Sequence, residues 1–132
     1  MKKTINIESK IDNISLIEKF IDEFSEQYQI NTDLYGKILI ATVEAVNNSI
    51  VHGNKEDIDK DVYLEMQKDE GQILVYVKDE GQGFDYENIP DPTKPENLEN
   101  INGRGIYLMN HLADEVTFLE NGSVVQMKFN LE

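Results

Sequence analysis

Apolar and polar residues first alternate singly. Ile5 and Ile7 sit between polar neighbours, and this period of two predicts a short first strand. The period then lengthens. Ile17, Phe20, Ile21, Phe24 and Tyr28 form one stripe at helical spacing. Ser15, with Glu18 three residues on, is a capping-box pattern for the start of that helix. A second helix is predicted from about Asn31-Thr32-Asp33 to Val51 or His52, burying Leu39, Val43, Val46 and Ile50. Gly53 and Asn54 follow, where a helix C-terminus favours left-handed residues.

A charged loop at 55–60 leads back to a period of two. Val62, Leu64 and Met66 alternate with polar residues, Asp69-Glu70-Gly71 turns the chain, and Ile73, Val75 and Val77 return it as a hairpin. The stretch 80–102 holds Pro90, Pro92 and Pro95, the only prolines, and predicts a long loop of the kind that carries function. A short helix is expected at 106–112. Strands at 115–119 and 124–131 are joined by Asn121-Gly122, a strong hairpin signal. The order β-α-α-β-β-loop-α-β-β predicts an α+β two-layer sandwich, with helices on one face of a mixed, mostly antiparallel sheet.

Composition narrows the picture. A chain of 132 residues suits one domain, spanning 1–132. Hydrophobic residues at 39% and charged residues at 29% can build one core under a solvated surface. Lys and Arg total 12 against 26 Asp and Glu, a net charge of −14. Such a surface repels nucleic acid and anionic lipid, so direct binding to DNA, RNA or membrane is not expected. The absence of cysteine excludes disulfides, thiolate nucleophiles and Cys-ligated zinc. No stretch approaches the roughly 20 apolar residues of a membrane span. The N-terminus lacks the apolar core of a secretory signal, and the expected compartment is the cytoplasm.

Three segments carry more than packing requires. In Glu44-Ala45-Val46-Asn47-Asn48-Ser49-Ile50-Val51-His52-Gly53, residues Glu44, Asn48 and His52 fall at i, i+4 and i+8. They read either as a solvated helix face, or as a base (Glu44) beside a carbonyl oxygen (Asn48) for a hard cation such as Mg²⁺. In Asp79-Glu80-Gly81-Gln82-Gly83, directly after a strand, the glycines permit a tight turn and close approach of a ligand, and Asp79 can accept from an exocyclic amine. An ordinary acidic turn has the same pattern. Gly103-Arg104-Gly105 opens a helix whose free N–H groups suit an anion, with the only arginine in the chain beside them. Of the two histidines, His52 and His111, neither has partners at zinc-binding spacing.

Taken in order, E-x-x-x-N on a helix, D-x-G-x-G after a strand, a long loop and G-x-G into a helix resemble the GHKL ATPase superfamily, whose nucleotide-binding architecture is the Bergerat fold. The segment from Glu44 to Gly53 looks like its N box, Asp79 to Gly83 like its first glycine box, and Gly103 to Gly105 like its second. E-A-V-N-N-S-I-V-H-G, G-R-G-I-Y-L-M and A-D-E-V are most similar to bacterial anti-sigma factor serine/threonine kinases. The resemblance implies a Bergerat-type sandwich with an ATP lid at about 86–102. It implies Glu44 as general base, Asn48 as Mg²⁺ ligand, and Asp79 on the adenine amine with Gly81 and Gly83 nearby. Gly103, Arg104 and Gly105 would hold phosphate, and Ser123 would stand near adenine. The implied activity is ATP-dependent phosphorylation of a STAS-type anti-anti-sigma protein, with a sigma factor as second partner and a homodimer by analogy. The lid carries Glu87, Asp91, Glu96 and Glu99 against Lys94 alone, and a second amide, Asn47, precedes Asn48. These departures keep two alternatives open: an ATP-responsive interaction module without phosphotransfer, and a simple ATPase.

Overall fold

The computed structural model describes residues 2–81 and 101–131, with the backbone alone at 101–104. The elements follow the predicted order: β1 (Lys2–Glu8), α1 (Ile14–Gln27), α2 (Thr32–Asn48), β2 (Asp61–Asp69), β3 (Gln72–Lys78), α3 (Ile101–Leu112), β4 (Glu115–Leu119) and β5 (Val124–Asn130). The five strands make one sheet in the order β1-β2-β3-β5-β4, and all four pairings are antiparallel. The β2–β3 hairpin turns at Gly71, whose φ of 80° suits a residue without a side chain. The β4–β5 connection has three consecutive left-handed residues, Glu120, Asn121 and Gly122.

Period two decides which face is buried. Val62, Leu64 and Met66 of β2, Ile73, Val75 and Val77 of β3, and Met127 and Phe129 of β5 are fully buried against the helices. Ile17, Ile21 and Phe24 of α1 and Ile38, Val46 and Ile50 of the second helical segment meet them from the other layer. Each such side chain contributes about 1.5–3 kcal/mol on burial. The opposite face carries Tyr63, Glu65 and Gln67, cross-linked by hydrogen bonds. There the Tyr63 hydroxyl holds the Glu65 carboxyl below its usual range, with Gln67 and Lys2 adding to the effect against partial burial. Tyr35 of α2 donates to Asp22 of α1, pinning the two helices together.

Four local expectations are corrected. The capping box does not form. A 3₁₀ turn, Ile11–Asn13, runs straight into α1, which places Ser15 inside the helix with its hydroxyl donating to the Asp12 carbonyl at 3.1 Å. The buried face of α2 is Leu34, Ile38, Ala41, Thr42, Ala45 and Val46, while Leu39 and Val43 lie at its edge. The sequence stripe followed large side chains alone, whereas the buried face of α2 also takes the small Ala41, Thr42 and Ala45. α3 begins at Ile101 rather than 106, so the Gly103–Gly105 pair lies within its first turns. Finally, neither Gly53 nor Asn54 is left-handed; Lys55 (φ 53°) and Glu56 (φ 58°) are.

Candidate functional site

The end of α2 sets the geometry. The Asn31 side chain caps its start, accepting from the Leu34 N–H at 2.8 Å. At its other end the helix widens into a π-turn, Ser49–Gly53, closed by the Asn54 N–H donating to the Ser49 carbonyl five residues back at 2.7 Å. Asn54, 2% exposed, anchors this turn. Its amide donates to Ser9 Oγ (2.9 Å) and to the Asp61 carbonyl (3.0 Å), and its oxygen accepts from the Glu80 N–H (2.8 Å). One side chain thus ties the π-turn to the segment after β1, the start of β2 and the end of β3.

Asp79 stands opposite the turn, just beyond β3, and is 6% exposed. Its own N–H donates to the Ser123 carbonyl at 2.9 Å. Its carboxylate accepts from the Gly81 N–H at 2.8 Å. Burial pushes the Asp79 carboxyl up, and the Gly81 N–H, the Ser49 side chain and the charge of Lys60 offset only part of that push. The surrounding backbone is tight. A Cβ on Gly53 would lie 2.5 Å from Asp79 Cγ, and one on Gly81 would collide with the Gly53 carbonyl oxygen. Glycine is therefore required at 53 by contact and not by φ.

Beside Asp79 opens a narrow cleft of about 20 Å³. Met109, Phe118 and Val125 give it apolar walls, and Ala45 and Asn48 border it from α2. A slot with apolar walls and one buried acceptor suits a flat heteroaromatic ring that carries an amine. Next to it, α3 crosses α2. A Cβ on Gly105 would lie 3.1 Å from Asn48 Nδ2, 3.2 Å from Glu44 Oε2 and 3.3 Å from Asn48 Oδ1. The bare backbone of Gly105 thus lies against the base candidate and the amide together.

Asn48 is 9% exposed, yet both polar atoms of its amide lack a hydrogen-bond partner among the described residues; Thr42 Oγ1 is the third such atom. An unpartnered buried amide costs about 1–3 kcal/mol, and such atoms mark places where a ligand completes the bonding. Among the described residues no three His, Cys, Asp or Glu side chains could hold a metal by themselves. Asn48 therefore fits a hard cation that brings most of its oxygens with it, as Mg²⁺ does with a polyphosphate.

Five predicted residues, Glu44, Asn48, Asp79, Gly81 and Gly105, gather around this one region. Gly103 and Arg104 stand in the first turn of α3, where backbone N–H groups lack helical acceptors. Ser123 reaches Asp79 through its carbonyl, while its hydroxyl donates to the Glu120 carbonyl at 3.0 Å. Gly83 and the lid residues 86–100 lie outside the described residues. His52 is exposed on the rim, and His111 stacks on Tyr107 with ring centroids 4.4 Å apart. Sequence reasoning missed Ser49 and Asn54. On an ideal helix Ser49 projects away from the line of Glu44 and Asn48, and no periodic signal announces a π-turn.

This sandwich, with its cleft between the helix ends and the β3 turn, defines a nucleotide-binding ATPase fold. The chain belongs to the histidine kinase-like ATPase domain family, which it matches over residues 7–129. It is 32% identical over 123 residues to the anti-sigma F factor of Bacillus velezensis, covering 89% of this chain and 83% of that protein. It is 35% identical over 98 residues to the serine-protein kinase RsbW of Staphylococcus aureus, covering 67% of this chain and 60% of that protein. A crystal structure of the RsbU and RsbW domains of a Mycobacterium tuberculosis protein superposes with a TM-score of 0.69 over 98% of this chain and 31% of that one. At 14% identity that likeness shows the shared fold.

Proposed function

We propose that the chain is an ATP-binding anti-sigma factor with serine/threonine protein kinase activity. One observation carries the reading: the unpartnered buried amide of Asn48 borders the cleft that holds buried Asp79, and the same amide lies with the Glu44 carboxylate against the bare backbone of Gly105. The names of the relatives supply the protein context, since one is an anti-sigma factor and another a serine-protein kinase.

In this reading Asp79 accepts from the adenine amine between the apolar walls. The free N–H groups of the first turn of α3, with Arg104, receive phosphate oxygens. Asn48 Oδ1 would hold Mg²⁺, which when bound neutralises phosphate charge. Glu44, one turn before Asn48 and against Gly105, accepts the proton of a partner's serine hydroxyl as that oxygen attacks the γ-phosphate. Positioned general-base catalysis contributes about 10²–10⁴-fold.

The acceptor would be a STAS-type anti-anti-sigma protein, with a sigma factor as the alternate partner, in the cytoplasm. A phosphoserine adds about −1.5 to −2 charge. Placed against a body of net charge −14, that group favours release of the product and a switch of partner.

The test is incubation of labelled MgATP with the protein and a STAS domain. Label on a serine of that domain, reduced by about 10²-fold or more in Glu44→Ala while ATP is still bound, is the expected result. Free phosphate without labelled partner means hydrolysis; bound ATP with neither product means an interaction module.

A further inference from the structure

The kinase reading, on which this inference rests, makes a demand that the nucleotide cleft alone does not meet. Glu44 takes its proton from a hydroxyl carried by another protein. That hydroxyl must come within hydrogen-bond reach, roughly 2.6–3.2 Å, of the Glu44 carboxylate. The acceptor domain must therefore rest on whatever surrounds Glu44, and a standard protein contact covers about 800 Å² on each partner, far more than one serine.

The turns of α2 before Glu44 decide what it rests on. Helical spacing puts Lys37, Ile40 and Glu44 at i, i+3 and i+7, in one row outside the buried face of the helix. Gly105 of α3 closes one flank of Glu44, and the row before it is open. Ile40 is 48% exposed and takes no part in the core. Its Cβ lies about 5–6 Å from that of Glu44, so a protein that reaches the base covers this isoleucine as well. Lys37 is exposed and is the one cation of α2. It forms no ion pair among the described residues, although the chain carries 26 acids.

We propose that the row Lys37–Ile40–Glu44 is the docking strip for the phosphoacceptor domain, and that it reads two features there: an apolar side chain beside the target serine, and a carboxylate about 10 Å further along, opposite Lys37. Position and charge select this occupant. Single apolar residues on a surface are common, but this one is desolvated each time Glu44 meets its substrate. The other large exposed apolar residues, Ile11, Leu16, Ile58 and Leu119, lie on other elements. A second copy of the chain seated on the row would cover Glu44 and shut the serine out. An unpaired lysine on a body of net charge −14 offers an acidic partner one attractive contact, which fixes its register on the strip.

The experiment uses the full chain with a STAS domain as probe. Phosphotransfer rates at saturating MgATP give kcat and KM for that domain, and calorimetry gives its affinity, in the wild type, Ile40→Ala, Lys37→Glu and Leu119→Ala. The substituted positions are exposed, so the variants keep the fold. Ile40→Ala is expected to raise KM roughly tenfold with kcat and MgATP affinity little changed, the signature of a lost contact at the centre of an interface. Lys37→Glu raises KM as well, and one acidic-to-lysine reversal on the STAS domain restores it. Leu119→Ala, on the far layer, matches the wild type. Wild-type KM in both Ile40→Ala and Lys37→Glu, with serine still labelled, overturns the strip and leaves the kinase standing. An equal rise in Leu119→Ala overturns it too. So does a wild-type dimer in sedimentation that Ile40→Glu dissolves while KM stays put, since the row then belongs to a second copy. Binding of the STAS domain that weakens in Ile40→Ala, with no serine labelled in any protein, upholds the strip and removes the kinase. A wild type that neither binds nor labels the domain overturns both.

Discussion

Asp79 sets stability against recognition. Its folded carboxyl binds a proton more readily than the unfolded chain does, because burial disfavours the anion. The sign follows from linkage. The contribution to stability is fully present below the ordinary value of 3.8 and is lost as pH rises through the higher folded value, so at neutral pH the ionised group carries its whole cost. Asp79→Asn removes the charge and keeps the shape. Its Tm should exceed that of the wild type at pH 7, and the gap should close as pH falls below about 4. Thermal denaturation across that range reads the effect, and a wild type more stable than the variant at pH 7 would contradict it. The same variant should lose preference for ATP over GTP, since an amide offers a donor as well as an acceptor. Asp79 was visible in the sequence only in company: the acid and two spaced glycines fit an ordinary turn equally well, and it was their order after the Glu44–Gly53 helix segment and before Gly103–Gly105 that marked them. The sequence hid Asn54, whose partners Ser9 and Glu80 lie far off in the chain and are met only through an irregular turn.

At the scale of elements, the parts legible in the sequence were those with sustained periodicity. The strands of the central hairpin and β4 emerge at their observed places, because period two over five or more residues has one buried solution. The ends of helices were less legible, since they depend on tertiary partners. Gly53 looked like a left-handed stop and is instead a contact with Asp79. Gly105 looked like loop and is helical, lying against Asn48 and Glu44. Two predictions separate these tertiary demands from local propensity. Asn54→Ala removes one hydrogen bond each from the Ser9 hydroxyl, the Asp61 carbonyl and the Glu80 N–H, and should cost about 2–3 kcal/mol in denaturant unfolding, with nucleotide affinity falling as the π-turn loosens. Gly105→Ala has the opposite signature. Alanine gains up to about 1 kcal/mol of helix propensity, while its Cβ, just over 3 Å from Asn48 and Glu44, needs those side chains to give by a few tenths of an ångström. Stability should hold or rise in that variant and phosphate transfer should drop, measured side by side on one preparation. A loss of both together would mean that the packing of α3 on α2 cannot absorb the methyl group.

For the whole molecule the governing quantity is charge. A net −14 on 132 residues repels itself in the compact state more than in the expanded one, and this opposes folding at low ionic strength. Surface ion pairs act in the other direction but weakly. Those among the described residues are Lys2–Glu65 at 3.8 Å, Lys78–Glu120 at 3.8 Å and Lys128–Glu115 at 4.0 Å. Each joins at least one well-exposed group, and such pairs contribute about 0–1 kcal/mol apiece. Added salt screens both effects, shortening the Debye length from about 30 Å at 0.01 M to about 3 Å at 1 M. It shortens the reach of many long-range repulsions and weakens only a few short-range attractions, so repulsion loses more. The Tm should therefore climb with sodium chloride over that range, most steeply below about 0.15 M, where the Debye length still spans the distance between neighbouring elements. A chloride series in differential scanning calorimetry at pH 7 checks this, and a falling Tm would assign the acidic surface a stabilising network that the described ion pairs do not supply. The same screening reaches function. If repulsion between the acidic body and a phosphorylated partner drives release, the ratio of affinities for the unmodified and phosphorylated forms should shrink along the same salt series.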